Sequence, residues 1–192
     1  MSNPLYQRDV IPDIVRYLQT DEVIVIHGAR QVGKTCILIY LQRLLHERGE
    51  QTRYIDLEDS RFVTLLDRGV DEFLSYLRGE GYQLEQLAQA EHKLYVLLDE
   101  IQYLADPSPF LKLIADHHRY LKLIVSGSSS FEMKSKFKDS LVGRTVNFEI
   151  FQLILDFAGR EWRYLDDPIL KNCSHCSSPA NDNHRTKSLV PF

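Results

Sequence analysis

Apolar residues fall on consecutive positions in four short runs of the chain: Val23 to His27 (VIVIH), Arg53 to Leu57, Leu94 to Leu98 (LYVLL) and Leu121 to Val125 (LKLIV). Such runs suit strands covered on both faces, as in a parallel sheet. Thr145 to Phe151 (TVNFEIF) alternates more and reads as a fifth strand. Helical spacing fills the gaps. Ile37, Leu38, Leu41, Leu44 and Leu45 define a helix over Cys36 to Arg48 that stops at Gly49. Val63 to Gln89 reads as two or three short helices interrupted near Gly69 and at Gly79 to Gly81, and another helix runs from about Ser108 to Tyr120. Leu5, Val10, Ile14, Val15 and Leu18 form one face of an opening helix that Pro12 breaks or restarts. Strands alternating with helices predict right-handed crossovers and an α/β fold: an open parallel sheet with helices on both faces.

Composition narrows the class. With 192 residues, 44% hydrophobic and 26% charged, the chain has the make-up of one globular domain plus a tail. A net charge of −4 argues against a broadly basic, nucleic-acid-coating surface. No apolar run reaches the roughly 20 residues of a bilayer span, and MSNPLYQRDVIPDIV lacks the pattern of a signal peptide, so a cytoplasmic protein without a membrane segment is expected. Three cysteines cannot all pair, and a disulfide framework is not expected. The expected organisation is an N-terminal helical segment (1–20), a core (21–159) and a polar, disordered tail (160–192).

The chemistry concentrates after the first strand. Gly28-Ala29-Arg30-Gln31-Val32-Gly33-Lys34-Thr35 fits G-x-x-x-x-G-K-[ST] at every fixed position, between a strand and a helix. Its glycines let successive backbone N–H groups turn toward phosphate oxygens, and the following helix, which Cys36 enters, adds the positive end of its dipole. Lys34 would reach the β- and γ-phosphates, and the Thr35 hydroxyl would sit on Mg²⁺.

Asp99 and Glu100 follow the third strand, at the carboxyl edge where open α/β sheets bind ligands. Asp99 would hold the Mg²⁺ hydration shell beside Thr35, and Glu100 would orient and polarise an attacking water. Ser126-Gly127-Ser128-Ser129 ends the fourth strand; Ser126 or Ser128 would sense the γ-phosphate, unless the segment is turn chemistry alone. Arg144 precedes the fifth strand and would stabilise the phosphoryl transition state, in its own site or a neighbour's, unless it makes a surface ion pair. Arg30 contacts phosphate or ties the loop to Glu58 or Asp59.

GARQVGKT, YIDLED, YVLLDEIQYL, LIVSGSSS and LVGRTVNFEIF, in this order, resemble the motifs of the AAA-type ATPases of prokaryotic proteins that carry a separate, nuclease-like C-terminal domain. The resemblance covers about Tyr6 to Gly159. It implies a P-loop NTPase sheet in which an additional strand separates the loop strand from the Asp99 strand. It also implies ATP with Mg²⁺, Lys34 and Thr35 on the nucleotide, Asp99 and Glu100 as metal and water residues, a sensor among Ser126 to Ser128, and Arg144 as the candidate arginine finger. Beyond Gly159 the sequence does not continue the family's pattern, so only the ATPase module is expected.

The remaining features are weaker. Cys173-Ser174-His175-Cys176, with His184, has the spacing of half a zinc site without a second half, and His117-His118 reads as a solvated helix face. Trp162, Tyr164 and Leu165 pack the last helix onto the core or mark a docking position for a further domain. The leading expectation is Mg²⁺-dependent ATP binding and hydrolysis, with a homo-oligomer, DNA or a protein as possible partners. The alternatives are a nucleotide-dependent binding switch with negligible turnover, a P-loop kinase of a small metabolite, and an inactive truncated remnant.

Overall fold

The structure, a computed structural model, describes residues 10–90, 92–128 and 141–151, together with the backbone of two short strands at 5–6 and 164–165. Its centre is a five-stranded sheet built from β2 (Val23–Gly28), β3 (Gln51–Asp56), β4 (Leu94–Asp99), β5 (Leu121–Ser128) and β6 (Thr145–Ile150). The spatial order is β3-β4-β5-β2-β6 and every pairing is parallel. β5 therefore separates β2 from β4, the arrangement that the family resemblance implies.

Consecutive apolar residues feed two cores. On one face Ile24, Ile26, Tyr95, Leu97, Ile124 and Ile150 pack under α1 (Val10–Arg16) and α2 (Lys34–Glu47). On the other, Val23, Val25, Val96, Leu98, Leu123 and Val125 pack under α3 (Ser60–Asp67), α4 (Val70–Gly79), α5 (Leu84–Gln89) and α6 (Pro107–His117). Each strand side chain buried in this way contributes about 1.5–3 kcal/mol.

Several element bounds differ from the sequence reading for local reasons. α3 starts before Val63 because Asp59 caps it, its carboxylate accepting from Arg61 N at 2.9 Å. α6 starts at Pro107 because Asp106 accepts from Ser108 N at 3.2 Å, and it ends before Tyr120. α1 starts only at Val10 and carries Pro12 in its first turn, where a missing N–H costs nothing. Leu5 is not helical: β1 (Leu5–Tyr6) pairs antiparallel with β7 (Tyr164–Leu165). Tyr164 and Leu165 thus form a strand within the stretch expected to be a tail, whereas Trp162, Cys173, Cys176 and His184 lie outside the described residues. Cys36 is disulfide-bonded, where no disulfide framework was expected. His117 is exposed, while the His118 ring packs edge-on against Tyr120.

Two lysines fasten the amino edge of the sheet. Lys93 Nζ donates to Gln19 O at 3.1 Å, Thr20 O at 2.9 Å and Asp21 Oδ1 at 3.0 Å. Lys122, 1% exposed, donates to Thr20 O at 2.9 Å and to Glu22 O. Burial and the neighbouring Lys93 charge lower the Lys122 ammonium to about 7, against the opposing pull of Glu22 and Asp21. Folding then favours neutral Lys122, so its penalty is full below pH 7 and fades as pH rises toward the unfolded value near 10.4. Lys122→Met should therefore gain stability relative to wild type at pH 7 compared with pH 9, by about 1–2 kcal/mol in urea unfolding. An equal difference at the two pH values would contradict the neutral-lysine account.

Candidate functional site

The loop between β2 and α2 is shaped by what its backbone must do. A Cβ on Gly28 would lie 2.3 Å from Ile150 O on the adjacent strand, so the chain leaves the sheet through a position that admits only hydrogen. Ala29, Arg30 and Gln31 are exposed, while Val32 drops into the core beneath α2. Gln31 (φ 62) and Gly33 (φ 88) take left-handed conformations. Alternation of this kind turns successive N–H groups into a concave anion-binding surface. No side chain caps the start of α2, where Lys34, Thr35 and Cys36 form the first turn. Lys34 is 4% exposed and folds back over the loop, its Nζ donating to Ala29 O at 2.9 Å and Gly28 O at 3.3 Å.

Next to this loop, at the same carboxyl edge, β4 ends in Asp99, which is 2% exposed. Three elements hold its carboxylate. Tyr54 Oη from β3 donates to Oδ2 at 2.8 Å, Ser126 Oγ from β5 donates to Oδ1, and the Glu100 N–H reaches Oδ1 at 3.1 Å. Glu100 is left-handed (φ 57, ψ 51). This twist sends Ile101 into the core on the far face while Asp99 stays on the α2 face. Glu100 N also donates to Ser126 Oγ at 3.2 Å, and the Glu100 carboxylate accepts from Gln102 Nε2. Gln102 Oε1 in turn accepts from Ser128 N at 3.1 Å.

The sequence-derived candidates are thus mostly brought together. Gly28 to Cys36, Asp99, Glu100, Ser126 and Ser128 share one edge, with Ser128 in register with Gly28. Arg144 does not join them. Its carbonyl accepts from Val23 N at 2.8 Å at the start of β2, and its Nε donates to Asp116 Oδ1 at 2.6 Å. About five strand residues, roughly 16 Å, separate it from its own loop. Of the alternatives for Arg30, which were phosphate, Glu58 or Asp59, Asp59 is instead paired with Arg61 at 2.6 Å. Tyr54 and Gln102 were not among the candidates. Tyr54 stands in register with Leu97, hence on the Asp99 face, a placement that only the strand pairing reveals.

The donor set is one carboxylate and a threonine hydroxyl at a phosphate-type loop, all hard oxygens, which suits Mg²⁺ shared with phosphates and water. Among the described residues there is no cluster of three or more His, Cys, Asp or Glu that would make a separate all-protein metal cage. Since both Asp99 oxygens already accept hydrogen bonds, the residue fits a role through the hydration shell of such an ion.

The model of a family described as "AAA domain" matches residues 20–156. The chain belongs to this family. The chain is also 22% identical over 157 residues to an uncharacterized protein of Haemophilus influenzae, covering 80% of this chain and 37% of that protein. In structure it is similar to PCH-2 of C. elegans (TM-score 0.53, 14% identity, 78% of this chain and 45% of that one). It is likewise similar to a chain of Drosophila ORC in a complex bound to DNA (TM-score 0.50, 14% identity, 78% and 91%). It therefore spans a little over a third of the bacterial relative and under half of the PCH-2 chain. These likenesses establish the P-loop NTPase fold of AAA proteins. Among the described residues no helix is long and apolar enough to cross a membrane.

Because the Gly28 overlap is with backbone, Gly28→Ala should cost about 1–3 kcal/mol of stability as well as distort the loop. Urea unfolding reads the first effect, and a change under about 0.5 kcal/mol, within the range of an inert surface substitution, would contradict the close packing of β2 on β6.

Proposed function

We propose that this AAA domain binds ATP with Mg²⁺ and hydrolyses it. The observation that carries this reading is the meeting, at one sheet edge, of the Gly28–Thr35 loop with a buried Asp99 and an adjacent Glu100. In this reading the loop N–H groups and the α2 N-terminus hold the phosphates. Lys34 leaves the Gly28 and Ala29 carbonyls for the β- and γ-phosphate oxygens. Mg²⁺, when bound, neutralises phosphate charge. Thr35 would offer its hydroxyl to the ion, and Asp99 would hold the ion's water shell with its carboxylate. Glu100 accepts a hydrogen bond from the attacking water and orients it in line with the γ-phosphate, and Ser126 keeps Asp99 in place. Phosphoryl transfer to water needs chiefly such positioning and charge neutralisation.

The position of Arg144 favours a second, related reading. Since it lies a sheet length from its own loop, it would complete the site of a neighbouring copy, and the isolated chain would bind ATP yet turn over slowly. Release of Arg144 from Asp116 would accompany assembly.

Glu100→Gln should retain ATP affinity while turnover falls about 10²–10⁴-fold, the usual contribution of a positioned base. Lys34→Ala should weaken binding itself. Phosphate release and ATP titration check the two variants, and unchanged turnover in Glu100→Gln would remove Glu100 from the reaction. Turnover that rises with protein concentration and loses that rise in Arg144→Ala would support the assembly reading; a concentration-independent rate insensitive to Arg144→Ala would reject it.

A further inference from the structure

Gln102 lies two residues beyond the acidic pair, in the 3₁₀ turn Ile101–Tyr103, and its side chain joins two parts of the site that the backbone leaves separate. Its amide orientation is fixed by its partners. The Ser128 N–H can only donate, so the atom facing it must be Oε1, which accepts at 3.1 Å. The NH₂ group therefore faces the Glu100 carboxylate and donates to Oε2. One planar amide thus links the Glu100 side chain to the end of β5, at the residue in register with Gly28, where the loop begins.

The backbone makes that link consequential. Glu100 is held left-handed by Ile101 in the core below and by its N–H bonds to Asp99 and Ser126, so its backbone has little freedom. Its side chain, by contrast, is a flexible three-torsion arm that many rotamers would carry away from the loop. A donor on Oε2 selects among these rotamers and leaves Oε1 to accept a hydrogen bond from elsewhere. A reacting group misplaced by about 1 Å costs on the order of 10²-fold in rate, so selecting a rotamer is a sufficient source of catalytic effect.

We infer that Gln102 is a positioning residue: its amide holds the Glu100 carboxylate in the orientation used to align water, and anchors that orientation to the Ser128 backbone beside the phosphate loop. The inference rests on the ATPase reading and adds to it a residue that acts through Glu100 without touching the nucleotide.

The test compares the wild-type chain, Gln102→Leu, Gln102→Glu and the pair Gln102→Leu/Glu100→Gln in steady-state phosphate release with Mg²⁺ and ATP, each with its melting temperature. Gln102→Glu keeps an acceptor for Ser128 N–H but sets a carboxylate against Glu100, so it separates the two halves of the link. Positioning through Glu100 predicts that both single variants lose about 10–100-fold in kcat with KM within about threefold of wild type, the signature of a misaligned reacting group with intact substrate binding. It further predicts that Gln102→Leu causes no additional loss once Glu100 is Gln, because coupled residues are not additive. Wild-type kcat in both single variants would overturn the inference while leaving the ATPase reading intact. So would a Gln102→Leu defect that Gln102→Glu rescues, since that outcome assigns Gln102 to tethering β5 alone. No turnover in the wild-type chain would instead reject the ATPase reading and this one with it.

Discussion

A carboxylate that is 2% exposed, at the end of an inner strand, is the constraint on which the rest of the site depends. Withdrawing a carboxylate from water costs several kcal/mol unless donors replace the lost solvent. Asp99 obtains them from Tyr54 on β3, Ser126 on β5 and the N–H of Glu100. The two side-chain donors are available only if β3, β4 and β5 pair in one register, because a slip of a single residue turns every side chain to the opposite face. The network therefore ties the alignment of three strands to one oxygen pair, and the site inherits the rigidity of the sheet.

The same alternation explains how one edge combines a polar site with a dry interior. Below Asp99 on β4, Leu97 and Tyr95 continue the α2-side core, and Ile124 does so below Ser126 on β5. The polar row is thus the top rung of an apolar ladder. Glu100 is where the chain changes face, and its left-handed backbone allows Asp99 and Ile101 to serve opposite sides within three residues. For a non-glycine residue that conformation costs about 1–2 kcal/mol, and it persists because the core below and the hydrogen bonds above both require it.

What was legible in the sequence was what is local. The strand runs, the helix after the loop, the loop itself and the Asp99–Glu100 pair are each encoded within a dozen residues, through burial on both faces or through fixed spacing. That a strand would stand between the loop strand and the Asp99 strand followed from the family resemblance. Residues whose roles depend on strand register stayed hidden. Tyr54 looks like any half-buried strand tyrosine until β3 is set beside β4, and Gln102 like any residue of a polar turn until β5 supplies Ser128. For Arg144 the sequence left its own site, a neighbour's site and a surface ion pair open. Parallel pairing puts it at the edge away from the loop, where it pairs with Asp116. The pairing of Leu5–Tyr6 with Tyr164–Leu165 joins segments too far apart for any local pattern to announce.

In the proposed function the Gly28–Thr35 loop and the Asp99 network form one nucleotide site, with Lys34 held in reserve on the loop carbonyls. A crystal structure of the chain with Mg²⁺ and a non-hydrolysable ATP analogue tests it most directly. The triphosphate should be wrapped by the loop, with Lys34 Nζ moved from Ala29 O and Gly28 O onto phosphate oxygens and Asp99 still bonded to Tyr54 and Ser126. Nucleotide seated elsewhere, or seated at the loop with Lys34 still on those carbonyls, would contradict it.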